Sequence, residues 1–247
     1  MASEKKRWEI PESQVTPERL FLSRRALIGA GGAGAVGLVA AGLGLGVGGG
    51  SAIGAGEERR GVPLAADPNA RFRQADPRTP EAEFTSYNNF YEFGFSKDIV
   101  RHAQRLKTSP WRIVVDGACD APFEIDLDDL LKKVALEERI YRLRCVEAWS
   151  MVIPWLGFPL AELVKMASPK AEAAYLRVET FHDPKVARMQ SSPQYPWPYV
   201  EGLTIDEATN ELAFLAVGAY GRTFEPQNGA PIRLVVPWKY GFKSAKS

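Results

Sequence analysis

The chain has 247 residues, 31 basic and 30 acidic, for a formal net charge of +1. Residues 67–247 carry 23 basic and 24 acidic side chains, a balance that excludes the cationic footprint of a nucleic-acid-binding domain. Two cysteines, two histidines and no paired CxxC speak against a disulfide framework and against zinc or haem sites built from chain ligands.

The first legible element is Ser23-Arg24-Arg25-Ala26-Leu27-Ile28. It opens a stretch of 31 residues without Lys, Arg, Asp or Glu, and 13 of these are glycine. This reads as a twin-arginine export signal. Proteins with such signals cross the bacterial inner membrane already folded, which suggests a periplasmic location and a cofactor inserted beforehand. A membrane anchor is the alternative, since ~20 apolar residues span a bilayer. Glycine argues against it, because it offers lipid no side chain and costs ~1 kcal/mol in a helix relative to Ala. Cleavage is expected between Ser51 and Asp67, with small residues at Ala52-Ile53-Gly54 and at Leu64-Ala65-Ala66. Residues 1–66 then form leader and linker, and residues 67–247 form one domain large enough for a full core.

Residues 57–86 are charged and Pro-rich and read as a linker with an extended arm. The aromatic run from Tyr87 to Phe95, with Asn88, Asn89 and Glu92, suits a pocket wall. Trp111 to Gly117 and Phe123 to Ile125 read as strands. Asp126 fits the N-cap of a helix running to about Val134, with Asp128 and Asp129 at its positive end. Arg139 to Cys145 alternates as a strand. Val146 to Gly157 reads as a Trp-rich loop, and Pro159 to Ala167 as a short helix with Pro in its first turn. Further strands are expected at Ala174 to Thr180, Leu212 to Ala219 and Ile232 to Val236, with Pro193 to Pro198 irregular. Strands and short helices mix without strict alternation, so the fold class is α+β with a mostly β core.

Two places could carry chemistry. Cys145 lies at a strand end between Arg144 and Glu147, where cations favour a thiolate, a soft ligand for a soft metal. A disulfide to Cys119 is the competing reading. The C-terminal stretch brings Asn228, Arg233, Lys239, Lys243, Ser244 and Lys246, which suit an anion such as phosphate. No GxxxxGK[ST] or GxGxxG occurs, so a nucleotide is not indicated.

Taken together, YNNFYEFG, RCVEAWSM, QNGAP and PWKYGFKS resemble the periplasmic protein-methionine-sulfoxide reductase catalytic subunits, molybdenum enzymes of the sulfite oxidase fold. The resemblance covers nearly all of residues 84–247. It implies a molybdopterin without attached nucleotide. Cys145 matches the metal-ligating cysteine of that family, which displaces the disulfide reading. Asn88, Tyr91, Glu92, Thr180, Asn228 and Arg233 match pterin contacts, and Ser244, Ala245 and Lys246 match the loop that holds the phosphate. The implied reaction is oxygen-atom transfer from methionine sulfoxide in oxidised periplasmic proteins. Electrons are expected from a haem b-containing integral membrane subunit, and export from the twin-arginine machinery. Members of the family continue several tens of residues past the KSxKS segment, so the domain is expected to be truncated at its C-terminal side. A sulfite-oxidising relative and a non-catalytic periplasmic domain of the same fold are the alternatives.

Overall fold

A computed structural model describes residues 61–145, 147–239 and 244–247. The twin-arginine leader and the Tyr240–Lys243 part of the PWKYGFKS motif lie outside these described residues.

The longest strand pair carries the fold. Strand β4 (Glu137–Cys145) and strand β5 (Trp149–Pro159) run antiparallel in unbroken register from Glu137 opposite Gly157 to Cys145 opposite Trp149. Strand β8 (Phe214–Ala219) adds to β5, and β10 (Arg233–Val235) adds to β8. At the other edge β1 (Asp67–Arg73) joins β4 in parallel, while the two-residue β9 (Arg222–Thr223) pairs with β8. Two small antiparallel pairs accompany this sheet: β2 (Arg112–Val115) with β3 (Phe123–Asp126), and β6 (Tyr175–Glu179) with β7 (Val200–Thr204).

The period of two sorts side chains onto the two faces of the sheet. Tyr141, Leu143, Trp149, Met151, Ile153, Trp155, Phe214 and Val235 pack on one face, with Phe72 and Phe84. Phe158, Leu215, Val217, Leu234 and Val236 pack on the other, with Leu160 and Val164 of the helix Leu160–Ala167. That helix buries Leu160, Val164 and Ala167, an i, i+4, i+7 stripe. The expected α+β class with a mostly β core is borne out.

β5 changes face where its register against β8 shifts, between Leu156 and Gly157. Gly157 is required there by close approach: a Cβ would stand 2.1 Å from the Leu215 carbonyl oxygen. Gly157→Ala is expected to cost about 3 kcal/mol, in the overpacking range, read as a lowered denaturant midpoint at unchanged slope.

Two expectations fail. The loop expected over Val146 to Gly157 is mostly strand β5. Pairing with β8 starts only at Trp155, so Pro154 interrupts no ladder on that side. The extended arm expected over 57–86 contains β1 and the helix α1 (Glu81–Ser86). β1 buries a single side chain, Phe72, which leaves almost no period to read. Pro80 caps α1, and Glu81 and Glu83 occupy its first turn.

Candidate functional site

The site is assembled on the face of the sheet that carries Tyr141, Leu143 and Val235. Alternation along β4 places Cys145 on the face of Tyr141 and Leu143, and alternation along β10 places Arg233 on the face of Val235. A narrow cleft opens between them, lined by Phe84, Asn88, Asn89, Leu143, Cys145, Trp149, Gln227, Arg233, Ser244 and Lys246. A wider, open hollow lies elsewhere, over Arg112, Glu124, Asp126, Asp129 and Lys132. Its walls are exposed ion pairs, so it lacks the enclosed polar groups that a binding site needs.

Cys145 is half-buried and its thiol is free, as is that of buried Cys119. The alternative disulfide is therefore not formed. Cys145 leads into a tight turn that ends at Ala148, in the left-handed region at φ 56°. Across that turn the Trp149 indole N–H donates to the Tyr87 carbonyl at 2.7 Å. This bond ties the loop Tyr87 to Phe95 to the strand end.

Helix α1 positions the amides. The last carbonyls of a helix lack intrahelical partners. Here the Phe84 carbonyl accepts from Asn88 Nδ2 at 2.9 Å and from Asn228 Nδ2 at 2.8 Å. The Thr85 carbonyl accepts from Gln227 Nε2 at 3.1 Å. These bonds fix the donor ends of the side chains and leave Asn88 Oδ1 buried without a partner. Both polar atoms of Asn89, Thr180 Oγ1 and Arg233 Nε are likewise buried and unpaired. Such atoms cost free energy unless a ligand meets them.

The cationic end comes from the segment Ser244–Ser247, which runs beside β10. Leu234 N–H donates to the Ala245 carbonyl at 2.9 Å and Ser247 N–H to the Ile232 carbonyl at 3.0 Å. Arg233 and Lys246 thereby become cross-strand neighbours. Gly229 makes room for them: it sits at φ +94°, and a Cβ there would lie 2.9 Å from Lys246 Cγ. The Arg233 guanidinium donates to the Asn228 carbonyl at 3.0 Å and to Ser244 Oγ at 2.8 Å, and it lies 5.2 Å from the Trp155 ring centre. Burial pushes its pKa down to about 10. Burial first, and then the charge of Arg233, push Lys246 down to about 8. A buried guanidinium and a half-buried ammonium that repel each other form a site for an anion.

Glu92 is buried behind Lys246, and burial raises its carboxyl above the usual range. The charge of Lys246 is the largest opposing effect. Thr180 Oγ1 stands near this carboxyl without an aligned hydrogen bond. Beside Cys145, the Tyr91 hydroxyl stands near the Glu147 carboxylate. Burial first, then Glu147 and the charge of Cys145, hold the phenol well above its ordinary pKa.

The structure thus draws Asn88, Cys145, Arg233, Ser244 and Lys246 to one cleft. It sets Tyr91 at the mouth, buries Glu92 and Thr180 behind Lys246, and uses Asn228 as a brace. Ala245 packs its side chain with Leu234 and Val236 on the opposite face, so it serves the site through its backbone. Sequence reasoning placed Asn89 in a pocket wall, where it lines the cleft, but gave no role to Trp149 or Gln227. Gln227 was hidden because its work is to cap a helix end that the reading had drawn as extended.

The donor set passes a test of fit for a metal-bearing pterin with an anionic tail. The cleft is lined by a free thiol, by amide atoms without partners, and by buried Arg233 and half-buried Lys246.

Comparisons with known proteins agree. The family described as oxidoreductase molybdopterin binding domain matches residues 100–247. The chain is 47% identical to the protein-methionine-sulfoxide reductase catalytic subunit MsrP of Ralstonia nicotianae, over 97% of this chain and 71% of that protein. It is 48% identical to that of Burkholderia mallei, with the same coverage. It is 49% identical to that of Pseudomonas syringae pv. tomato, over 96% of this chain and 72% of that protein. Among solved structures, the sulfane dehydrogenase SoxCD from Paracoccus pantotrophus aligns at 19% identity and a TM-score of 0.46. That alignment covers 57% of this chain and 37% of that one, a likeness too slight to weigh. The free thiol, the unpaired polar atoms and the sequence identity converge: the chain belongs to the family of protein-methionine-sulfoxide reductase catalytic subunits, oxidoreductases with a molybdopterin-binding domain.

Proposed function

We propose that this chain reduces methionine sulfoxide in oxidised periplasmic proteins. In this reading it carries a molybdopterin without attached nucleotide and takes electrons from a haem b-containing membrane subunit. It reaches the periplasm folded, through the twin-arginine machinery. The observation that carries the reading is the meeting of free Cys145 with Arg233 and Lys246 in one cleft whose polar atoms lack partners.

Cys145, as thiolate, would hold the metal; Asn88, Tyr91, Glu92, Thr180 and Asn228 would border the pterin; Arg233, Ser244, Ala245 and Lys246 would hold its phosphate. When bound, the molybdenum–pterin group supplies two-electron oxygen-atom transfer. The residues of the chain do the rest. Arg233 offers a planar fork and Lys246 a point charge to phosphate oxygens. Trp149 and Phe84 wall the cleft against water. Tyr91, held protonated, keeps a proton on its hydroxyl oxygen beside Glu147.

This pair also favours a sulfoxide over the sulfite alternative. A carboxylate beside the reactive thiol repels an anionic substrate, while Arg142 is drawn away to Asp76 at 3.0 Å. Peptide methionine sulfoxide with a reduced viologen dye tests the reading. Turnover is expected in protein matured through its own export route. Matured protein without molybdenum would remove both this reading and the sulfite one.

The fold also bears on maturation. Val62 N–H donates to Thr223 Oγ1 at 2.9 Å, and Thr223 N–H donates to the Val62 carbonyl at 2.9 Å. Leu64 N–H donates to the Gly221 carbonyl at 2.9 Å. A cut after Ala66 would strip these bonds from β9, which favours the upstream site at Ala52-Ile53-Gly54. Intact mass of exported protein is expected to place its first residue before Gly61; a mature chain starting at Asp67 would contradict this.

A further inference from the structure

We propose that Tyr87 and Phe95 form a shelf that recognises the polypeptide around a methionine sulfoxide, at the mouth where Cys145 opens. The inference deepens the functional reading above and rests on it.

The loop from Tyr87 to Lys97 closes on itself, with Asn88 N–H donating to the Lys97 carbonyl at 2.9 Å. It is fastened at two points to the segment 147–149. The Trp149 indole donates to the Tyr87 carbonyl at 2.7 Å, and the Tyr87 hydroxyl donates to the Ala148 carbonyl at 3.4 Å, while Tyr91 stands beside Glu147. The rings at 87, 91 and 95 are therefore held beside the reactive end of the cleft. Phe95 lies 5.7 Å from the Tyr91 ring, whose centre is 5.7 Å from the Lys97 ammonium.

Despite this anchoring, Phe95 is 60% exposed and Tyr87 41% exposed. Large apolar side chains left in water on a rigid rim beside a reactive cleft mark a binding surface. What covers them follows from continuity and charge. The shelf borders the mouth directly, so a chain delivering a side chain to Cys145 must pass over it. The nearest charges, Lys97 and Glu147, are opposite in sign, and each is engaged with Tyr91. The surface therefore selects neither a strong anion nor a strong cation. It suits the uncharged main chain and apolar neighbours of a sulfoxide-bearing residue. A small sulfoxide fits the cleft without reaching the shelf.

The test uses exported, cofactor-loaded protein with Tyr87→Ser, Phe95→Ser and the double change. Turnover with a reduced viologen dye is measured on a methionine-sulfoxide peptide and on dimethyl sulfoxide. The KM for peptide is expected to rise about tenfold in the double variant, while kcat and the KM for dimethyl sulfoxide move by less than about twofold. Fluorescence anisotropy of the labelled peptide, read without turnover, is expected to show the same tenfold loss of affinity. Equal changes for both substrates, or an unchanged peptide KM and affinity, would overturn the proposal. So would intact peptide kinetics with a loss confined to turnover driven through the membrane electron donor, which would assign the shelf to that partner. Wild-type protein that reduces neither sulfoxide would sink the functional reading instead, and anisotropy would then decide the shelf alone.

Discussion

Cys145→Ser is expected to lower turnover of methionine sulfoxide by at least about a thousandfold, because a hard hydroxyl is a poor ligand for a soft metal centre. The fold is expected to survive. Cys145 is only partly buried and its strand is registered by backbone bonds opposite Trp149, which need no sulfur. The melting temperature should therefore move by no more than about 2 °C, well under the shift that follows loss of a core side chain. Metal content should fall with activity. Cys119→Ser is the control: Cys119 is a free, buried thiol beside Pro169, outside the cleft, and its replacement should leave turnover within about twofold of wild type. A Cys145→Ser protein with full activity would exclude thiolate ligation. A large effect of Cys119→Ser on turnover at unchanged stability would show that the second sulfur takes part after all.

Lys246→Met should change how stability depends on pH in protein purified without cofactor. Lys246 loses its proton at about pH 8 in the fold, against an ordinary value of 10.5. Between those values the unfolded chain binds more protons than the folded one, so this residue makes stability rise with pH across that window. Below pH 8 lysine is charged in both states, and the penalty of placing that charge in the cleft beside Arg233 is fully present. Methionine fills similar space without charge. The variant should therefore melt at higher temperature than wild type at pH 7.5, and the gap should shrink steadily by pH 9.5. Thermal melts of the two proteins at pH 7.5, 8.5 and 9.5 measure this directly, and a gap that stays constant would refute it. In cofactor-loaded protein the order should reverse, because an anion beside Lys246 and Arg233 removes the penalty that methionine had relieved.

How much of this was legible in the sequence depends on what each residue answers to. Cys145, Asn88, Arg233 and Lys246 stand inside long motifs whose resemblance to one family was plain, and they meet in one cleft. The alternation of Arg139 to Cys145 announced its strand, and the apolar runs near 214–219 and 233–235 announced theirs. The helix Leu160–Ala167 was announced by Pro159 at its start. What stayed hidden was set by partners distant in the chain. β1 is a strand because β4 offers an edge to it, while its own residues carry one buried aromatic. Val146 to Gly157 reads as a Trp-rich loop, and only pairing with β4 and β8 makes most of it a strand. Gln227 looked like an ordinary polar residue, because its meaning lies in a helix end that a linear pattern does not show. Charge behaved likewise. The basic C-terminal stretch reads as a solvated face as much as an anion site, and it takes the burial of Arg233 and the turning of Lys246 into the same cleft to separate the two.

The pairing of Ser244–Ser247 with β10 has one more consequence. The groups that close the cleft lie far apart in sequence, Asn88 and Cys145 well before Lys246, so the nascent chain carries the thiol before it carries that cation. Contacts of such sequence separation form slowly. A pterin arriving early would find the metal ligand without the grip on its tail. Insertion therefore waits for residues 244–247 to pair beside Arg233, and it fastens that segment as it completes.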